Sequence, residues 1–364
     1  MNYNSKPLPG NKVEQHRIHS LDYLRGLMAF LIAIYHFIIW VSDLQGAGSF
    51  FGRIGVYGVS IFYILSGLTL YLVYHGNLIF SKPSIFSFFV RRFFRIYPLL
   101  WVSMALTLLL DKGKYSFEHL FLSFTGLFGF VAPTKYIGLV TWSIGNELVF
   151  YSLFPLLLLT LERKKSMFYI ISGGLILTNL YFVFFEFNPK SVLHGQWSTY
   201  VNPLNHIALF ISGITLGYLV ANGRIQLSFK AQIALLIFGV IGLFFYPASG
   251  DLIHIVQGWT RVCLVLFSCL ICLGFYNFSY QPPKMVHHFF KNIGEVSYSI
   301  YLIHPICFTV LVRLNQQIFD IKIRYLFLVY ILVTLLMSNF FYNVLEKPFI
   351  KLGRKVSYLT KQVK

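Results

Sequence analysis

Ten apolar runs of about twenty residues, separated by short polar or basic stretches, decide what this chain can fold into. They are Leu21 to Val41, Ile54 to Tyr74, Phe94 to Leu110, Val140 to Leu161, Met167 to Phe187, Pro203 to Ala221, Ala231 to Pro247, Gly258 to Tyr276, Val296 to Val312, and Tyr325 to Leu345. About twenty helical residues at 1.5 Å each cross a hydrocarbon core of roughly 30 Å. Lipid leaves no partner for an unpaired amide, so runs this long demand helices. The sequence predicts an all-α membrane bundle of about ten transmembrane helices. The shorter run from Phe121 to Val131 reads as an interfacial or re-entrant piece. The first run is full length and follows twenty mostly polar residues, so it is expected to remain as a span rather than be cleaved. The organisation expected is a cytoplasmic N-terminal segment over 1–20, one transmembrane domain over 21–348, and a basic cytoplasmic tail over 349–364 lying against anionic headgroups.

Charge is scarce and unevenly placed. Only 12% of residues are charged against 57% hydrophobic, yet the formal charge is +18. With the N-terminus in the cytoplasm, the inner intervals hold 20 of the 30 Lys and Arg residues and the outer intervals eight, with Arg25 and Arg261 inside spans. That bias obeys the positive-inside rule and places both ends in the cytoplasm. It also explains the excess charge without nucleic acid as a partner. Cys263, Cys269, Cys272 and Cys307 all lie in apolar stretches, which argues against a disulfide framework. No Walker A sequence, HExxH or GxSxG occurs, so a nucleotide-hydrolysing pump is not expected.

Ionisable groups at membrane depth are costly and mark cavities or partners. The first run carries Asp22, Arg25 and His36. Eleven helical positions return His36 to within about 20° of Arg25 and set the two roughly 16 Å apart along the axis. Asp22 and Arg25 also suit an i,i+3 ion pair, and His36 a hydrogen-bonded core position. In the fourth run Ser143, Glu147 and Tyr151 form a stripe behind Trp142, with Glu147 at a depth comparable with His36. The two therefore read as a candidate acid/base pair, or as a structural hydrogen bond between helices. In the ninth run Ser297, Tyr301 and His304 share a face, and Pro305 frees the Tyr301 carbonyl beside His304. Arg91, Arg92 and Arg95 crowd the entrance to the third run, where guanidinium forks suit phosphate or lipid headgroups.

In this order these segments resemble the acyltransferase-3 family of membrane O-acyltransferases, among them bacterial cell-surface glycan O-acetyltransferases. The matching pieces are Leu21 to Gly26 with His36, Gly55 to Gly67, Arg91 to Pro98, Trp142-Ser143 with Glu147, Phe150 and Tyr151, Ser297 to Pro305, and Glu346-Lys347-Pro348. Tyr23 and Tyr63 depart from the family's usual small residue and phenylalanine. No appended soluble domain follows, so the bundle and its loops are expected to capture the acceptor.

The resemblance implies transfer of an acyl group, acetyl in the first instance, from cytoplasmic acetyl-CoA to a hydroxyl of a surface polysaccharide or glycolipid such as lipopolysaccharide O-antigen. The expected location is a bacterial inner membrane, multi-pass. Arg91, Arg92 and Arg95 would then hold the donor phosphates, with Arg25 near the thioester path. His36 would be the general base, oriented by Glu147, and His304, Tyr301 or Tyr151 would donate to the developing oxyanion. Asp22, Trp142 and Ser143 are candidate substrate contacts. Ser66 and Ser143 are possible carriers of a covalent acyl group, and no metal is expected. The competing reading is a proton-coupled transporter or exporter, whose intramembrane carboxylates and histidines would relay protons; such folds often carry paired repeats, and no internal symmetry is visible here.

Overall fold

The computed structural model describes residues 18–42, 45–76, 78, 80–111, 113–276, 278 and 282–362. The expected N-terminal segment, with Lys6, Lys12 and Arg17, lies almost wholly outside them, as does Lys112. The described chain is all-helical, without strands. In order it forms α1 (His19–Val41), α2 (Phe50–Tyr74), α3 (Lys82–Leu110), α4 (Phe117–Thr125), α5 (Phe128–Val131), α6 (Trp142–Arg163) and α7 (Lys165–Tyr181). Then follow α8 (Trp197–Tyr200), α9 (Ile207–Ala221), α10 (Phe229–Phe245), α11 (Ile253–Val256), α12 (Gly258–Phe275), α13 (Lys284–Glu295), α14 (Ser297–Leu314), α15 (Ile323–Phe341) and α16 (Lys347–Gln362). Among the described residues, eight helical stretches are long and apolar enough to cross a membrane, and α9 and α10 are shorter apolar helices.

Several boundaries differ from the sequence reading, three of them for clear local reasons. Helix α3 starts at Lys82, twelve residues before Phe94, because Ser81 precedes it and Pro83 occupies its first turn, where a missing amide costs nothing. The arginines consequently sit inside a helix rather than at its mouth. Helix α9 starts at Ile207 instead of Pro203, because Pro203–Asn205 form a 3-10 turn that the Asn202 side chain caps at the amide of Leu204. Residues 349–362, expected as a tail, continue as α16. Gly353 lies against Phe94 of α3, and the Ser87 and Ser357 hydroxyls hydrogen-bond to each other.

The run Phe121 to Val131 is split by Gly126, whose φ of 75° closes α4 in the left-handed region that glycine alone adopts freely. The chain reverses there into α5, and the Tyr97 hydroxyl of α3 donates to the Thr125 carbonyl at 2.7 Å.

Lipid supplies little hydrophobic drive between helices, so close approach at small residues holds the bundle. Helices α2 and α9 cross backbone to backbone. A Cβ at Gly67 would stand 2.1 Å from the Phe210 carbonyl oxygen, and one at Gly213 would stand 2.0 Å from that of Ile64. The end of α13 is seated on α1 in the same way, with a Cβ at Gly294 falling 2.4 Å from the Asp22 carbonyl oxygen. Gly213→Leu is expected to part α2 from α9 and cost at least the ~1–3 kcal/mol of core overpacking. Thermal unfolding in detergent measures it, and an unchanged midpoint would show that the crossing tolerates side chains.

Two buried arginines are structural. Arg53 donates Nε to the Ala47 carbonyl at 2.9 Å, Nη1 to Leu243 at 2.8 Å and Nη2 to Tyr246 at 2.5 Å, tying the turn before α2 to the end of α10. Arg261 donates to Asn205 Oδ1 at 2.8 Å and to the Val256 carbonyl at 2.9 Å. Each serves backbone and amide oxygens left over at helix ends.

Candidate active site

Helices α1, α2, α3, α6 and α14 line a partly open cavity of about 240 Å³. Its polar lining comprises Arg25 from α1, Tyr63, Ser66 and Thr69 from α2, Arg92 and Arg95 from α3, Ser143, Glu147 and Tyr151 from α6, and Ser297, Tyr298 and Tyr301 from α14. Three guanidinium groups thus face one carboxylate, which makes the cavity cationic.

Each arginine is held differently. Arg25 donates Nη2 to Thr69 Oγ1 at 2.6 Å and to the Leu65 carbonyl at 3.3 Å, while Nη1 lies 3.8 Å from Asp22 Oδ1. Arg92 reaches the Tyr74 hydroxyl at 3.5 Å, and its guanidinium carbon lies 5.8 Å from the ring centres of Tyr74, Phe88 and Tyr151. Its Nε is buried without a hydrogen-bond partner. An orphaned buried donor in a cationic cavity is what an anionic ligand would satisfy. Arg91 lies elsewhere. One position along α3 rotates it off the face shared by Arg92 and Arg95, and its Nε donates to the Ser87 carbonyl at 3.3 Å.

The α6 stripe does converge on the cavity. Ser143 Oγ and the Tyr301 hydroxyl are hydrogen-bonded at 2.8 Å, the Tyr63 hydroxyl donates to the Ser143 carbonyl at 3.2 Å, and Ser66 Oγ donates to the Tyr151 hydroxyl at 3.0 Å. Tyr63, Ser66 and Thr69 on α2 supply more of the lining than the sequence reading gave them. Their i, i+3, i+6 spacing of hydroxyls within an apolar helix was the available signal.

The expected partnership of His36 with Glu147 is not formed. His36 Nδ1 is hydrogen-bonded to His304 Nε2 at 3.0 Å, and His304 Nδ1 donates to the Ile300 carbonyl at 2.9 Å. The two rings are stacked with centroids 5.0 Å apart, and Trp40 stacks on His36 at the same separation. Glu147 turns instead into the arginine cavity. Equal depth along two helices does not fix which way each faces. Tyr301 links the two regions, since it lines the cavity and its ring centre lies 6.1 Å from that of His304.

Two other candidates lie outside the cavity. Asp22 is buried beside Gly294 and within ion-pair reach of Arg25. Trp142 packs into an aromatic group with Trp197, Tyr200 and His206, at centroid distances of 5.7, 5.4 and 5.7 Å. Among the described residues, no three His, Cys, Asp or Glu side chains converge as a metal-ligand group would.

The described residues thus form a bundle of apolar, membrane-length helices around a cationic cavity, next to a histidine pair. The chain belongs to the acyltransferase-3 family: the family model described as an acyltransferase domain matches residues 18–342. It is therefore a membrane acyltransferase. A protein of Acidianus two-tailed virus, named "Putative acetyltransferase ORF330", is 25% identical over 308 residues, covering 83% of this chain and 87% of the viral protein. No solved structure matches the chain significantly.

Proposed function

We propose that the protein transfers an acetyl group from acetyl-CoA to a hydroxyl of a cell-surface polysaccharide or glycolipid, such as lipopolysaccharide O-antigen, at a bacterial inner membrane. The observation that carries this reading is the arginine cavity, with Arg25, Arg92 and Arg95 converging and Arg92 Nε left unpaired. Coenzyme A is polyanionic, and guanidinium forks match phosphate oxygens. At about 240 Å³ the cavity is smaller than the roughly 300–1,000 Å³ of whole-ligand pockets, so it suits one end of the donor rather than all of it. Arg91, just outside, would meet the remaining phosphates. With both chain ends in the cytoplasm, α3 brings its arginines in from the side where acetyl-CoA is made. The basic faces of α13 and α16 then lie against anionic headgroups.

A sugar hydroxyl is a weak nucleophile at neutral pH and needs a base. His36 takes its proton as the oxygen attacks the acetyl carbonyl carbon. Tyr301 or Tyr151 steadies the oxyanion. When the C–S bond breaks, the departing thiolate receives the proton, so the products are an O-acetyl ester and free coenzyme A. Glu147 balances the arginine charge and shapes the donor site.

The test is direct. Purified protein is incubated with acetyl-labelled acetyl-CoA and extracted surface glycan. Labelled ester in the glycan with equimolar coenzyme A release is the expected result. Absence of any donor-dependent product, with the glycan shown to hold free hydroxyls, would remove the reading in favour of transport.

A further inference from the structure

The hydrogen bonds around the two histidines determine which nitrogen of each ring carries hydrogen. A carbonyl oxygen only accepts, so the 2.9 Å contact between His304 Nδ1 and the Ile300 carbonyl places a hydrogen on Nδ1 of His304. Among the described residues no carboxylate forms an ion pair with either ring. Both lie in an apolar bundle where an unpaired imidazolium is costly, so the resting rings are neutral. Neutral His304 then has its lone pair on Nε2, and the 3.0 Å contact makes His36 Nδ1 the donor to it, with the Ile32 carbonyl one turn back also accepting from the His36 ring. The remaining nitrogen of His36, Nε2, holds the lone pair.

We infer that His304 is a positioning residue that fixes the tautomer of His36, accepting its Nδ1 hydrogen so that Nε2 is presented as the base. The inference rests on the acetyl-transfer reading and deepens it. His304 thereby takes the place sequence reasoning gave to Glu147. It is also withdrawn from oxyanion stabilisation, because both of its ring nitrogens are already engaged. During the reaction Nε2 of His36 receives the hydroxyl proton, and the resulting imidazolium still donates through Nδ1 to His304. On collapse of the tetrahedral adduct the proton passes from Nε2 to the thiolate sulfur, and both rings return to their starting tautomers. The surroundings reinforce the geometry. Trp40 stacks within 16° of the His36 plane, and His304 is fully buried on α14.

The experiment compares His304→Gln, which keeps an acceptor near the position of Nε2, with His304→Met, which keeps bulk and offers no comparable acceptor. Both are purified in detergent, with thermal midpoint, acetyl-CoA binding, kcat and KM measured. His304→Met should lower kcat by about 10³–10⁴-fold, the scale of a general base lost to the wrong tautomer. Acetyl-CoA affinity should stay within about twofold, because neither histidine lines the arginine cavity. His304→Gln should recover at least about tenfold of that loss. Equal kcat in the two variants, with both folded and binding donor, would overturn the inference, as would full kcat in His304→Met. Failure of the parent reading looks different, because the wild-type protein itself would then give no donor-dependent glycan ester, whatever residue stands at position 304.

Discussion

His36→Ala is expected to lower acetyl transfer by about 10²–10⁴-fold or more, the span associated with losing a positioned general base, while acetyl-CoA binding and the amount of protein in the membrane stay near wild type. The separation follows from the structure. His36 is half-buried against Trp40 and His304 and does not line the cavity that gathers the arginines. A loss of catalysis that arrives with a loss of donor binding would mean that the substitution had disturbed the bundle instead. Full transfer by His36→Ala would remove it as the base. The measurement is a steady-state rate with labelled donor beside a binding isotherm on the same preparation.

The second large effect is expected at Arg92. Its guanidinium sits among three aromatic rings and its Nε has no hydrogen-bond partner, so on the proposed reading a donor phosphate oxygen would complete it. Hydrogen bonds to charged groups contribute about 1.5–3 kcal/mol, so Arg92→Ala should weaken acetyl-CoA binding by about 10–150-fold. Arg92→Lys should recover little, since a point charge reproduces neither the fork nor the stacking. Arg25→Ala should show a similar loss, accompanied by some loss of stability because Arg25 ties α1 to α2 through Thr69. Arg91→Ala, outside the cavity, should cost less. Donor affinity unchanged in Arg92→Ala would sink the phosphate reading of the cavity, and calorimetric titration with acetyl-CoA decides it.

The sequence was informative wherever one dimension sufficed. Counting residues along apolar runs located the long helices, because span length is set by hydrocarbon thickness and helical rise. Counting also placed Arg25, Arg92, Arg95, Ser143, Glu147, Tyr151 and Tyr301, which the fold gathers round one cavity. It could not separate Arg91 from Arg92, because which of two adjacent residues faces inward depends on how α3 is rotated against its neighbours. The same limit governs His36. Depth made Glu147 a plausible partner, but the approach of α1 to α14 rotates the imidazole toward His304 instead. Helix ends were misjudged where the hydrophobic run and the hydrogen-bonded run differ in length. Lys82 to Phe93 extend α3 through a basic stretch, and Pro203 delays α9 by a 3-10 turn. Of the cavity hydroxyls on α2, Ser66 and Tyr63 were legible from the family's motif, whereas Thr69 was not, because serine and threonine in a membrane helix usually bond back to their own carbonyls, as Thr69 does to Leu65 at 2.6 Å.

The hydrogen bond between His36 and His304 spans 268 residues of chain, which gives it a place in time as well as in space. A ribosome adding about 5–20 residues per second needs roughly 15 s to a minute to travel that far. Through that interval α1 has been made while the ring that His36 pairs with has not yet been synthesised. The bundle must therefore hold a polar side chain in lipid, temporarily partnered by water or by its own backbone, until α14 inserts beside α1. The contact between the two histidines is thus among the last that this protein can form as it is made.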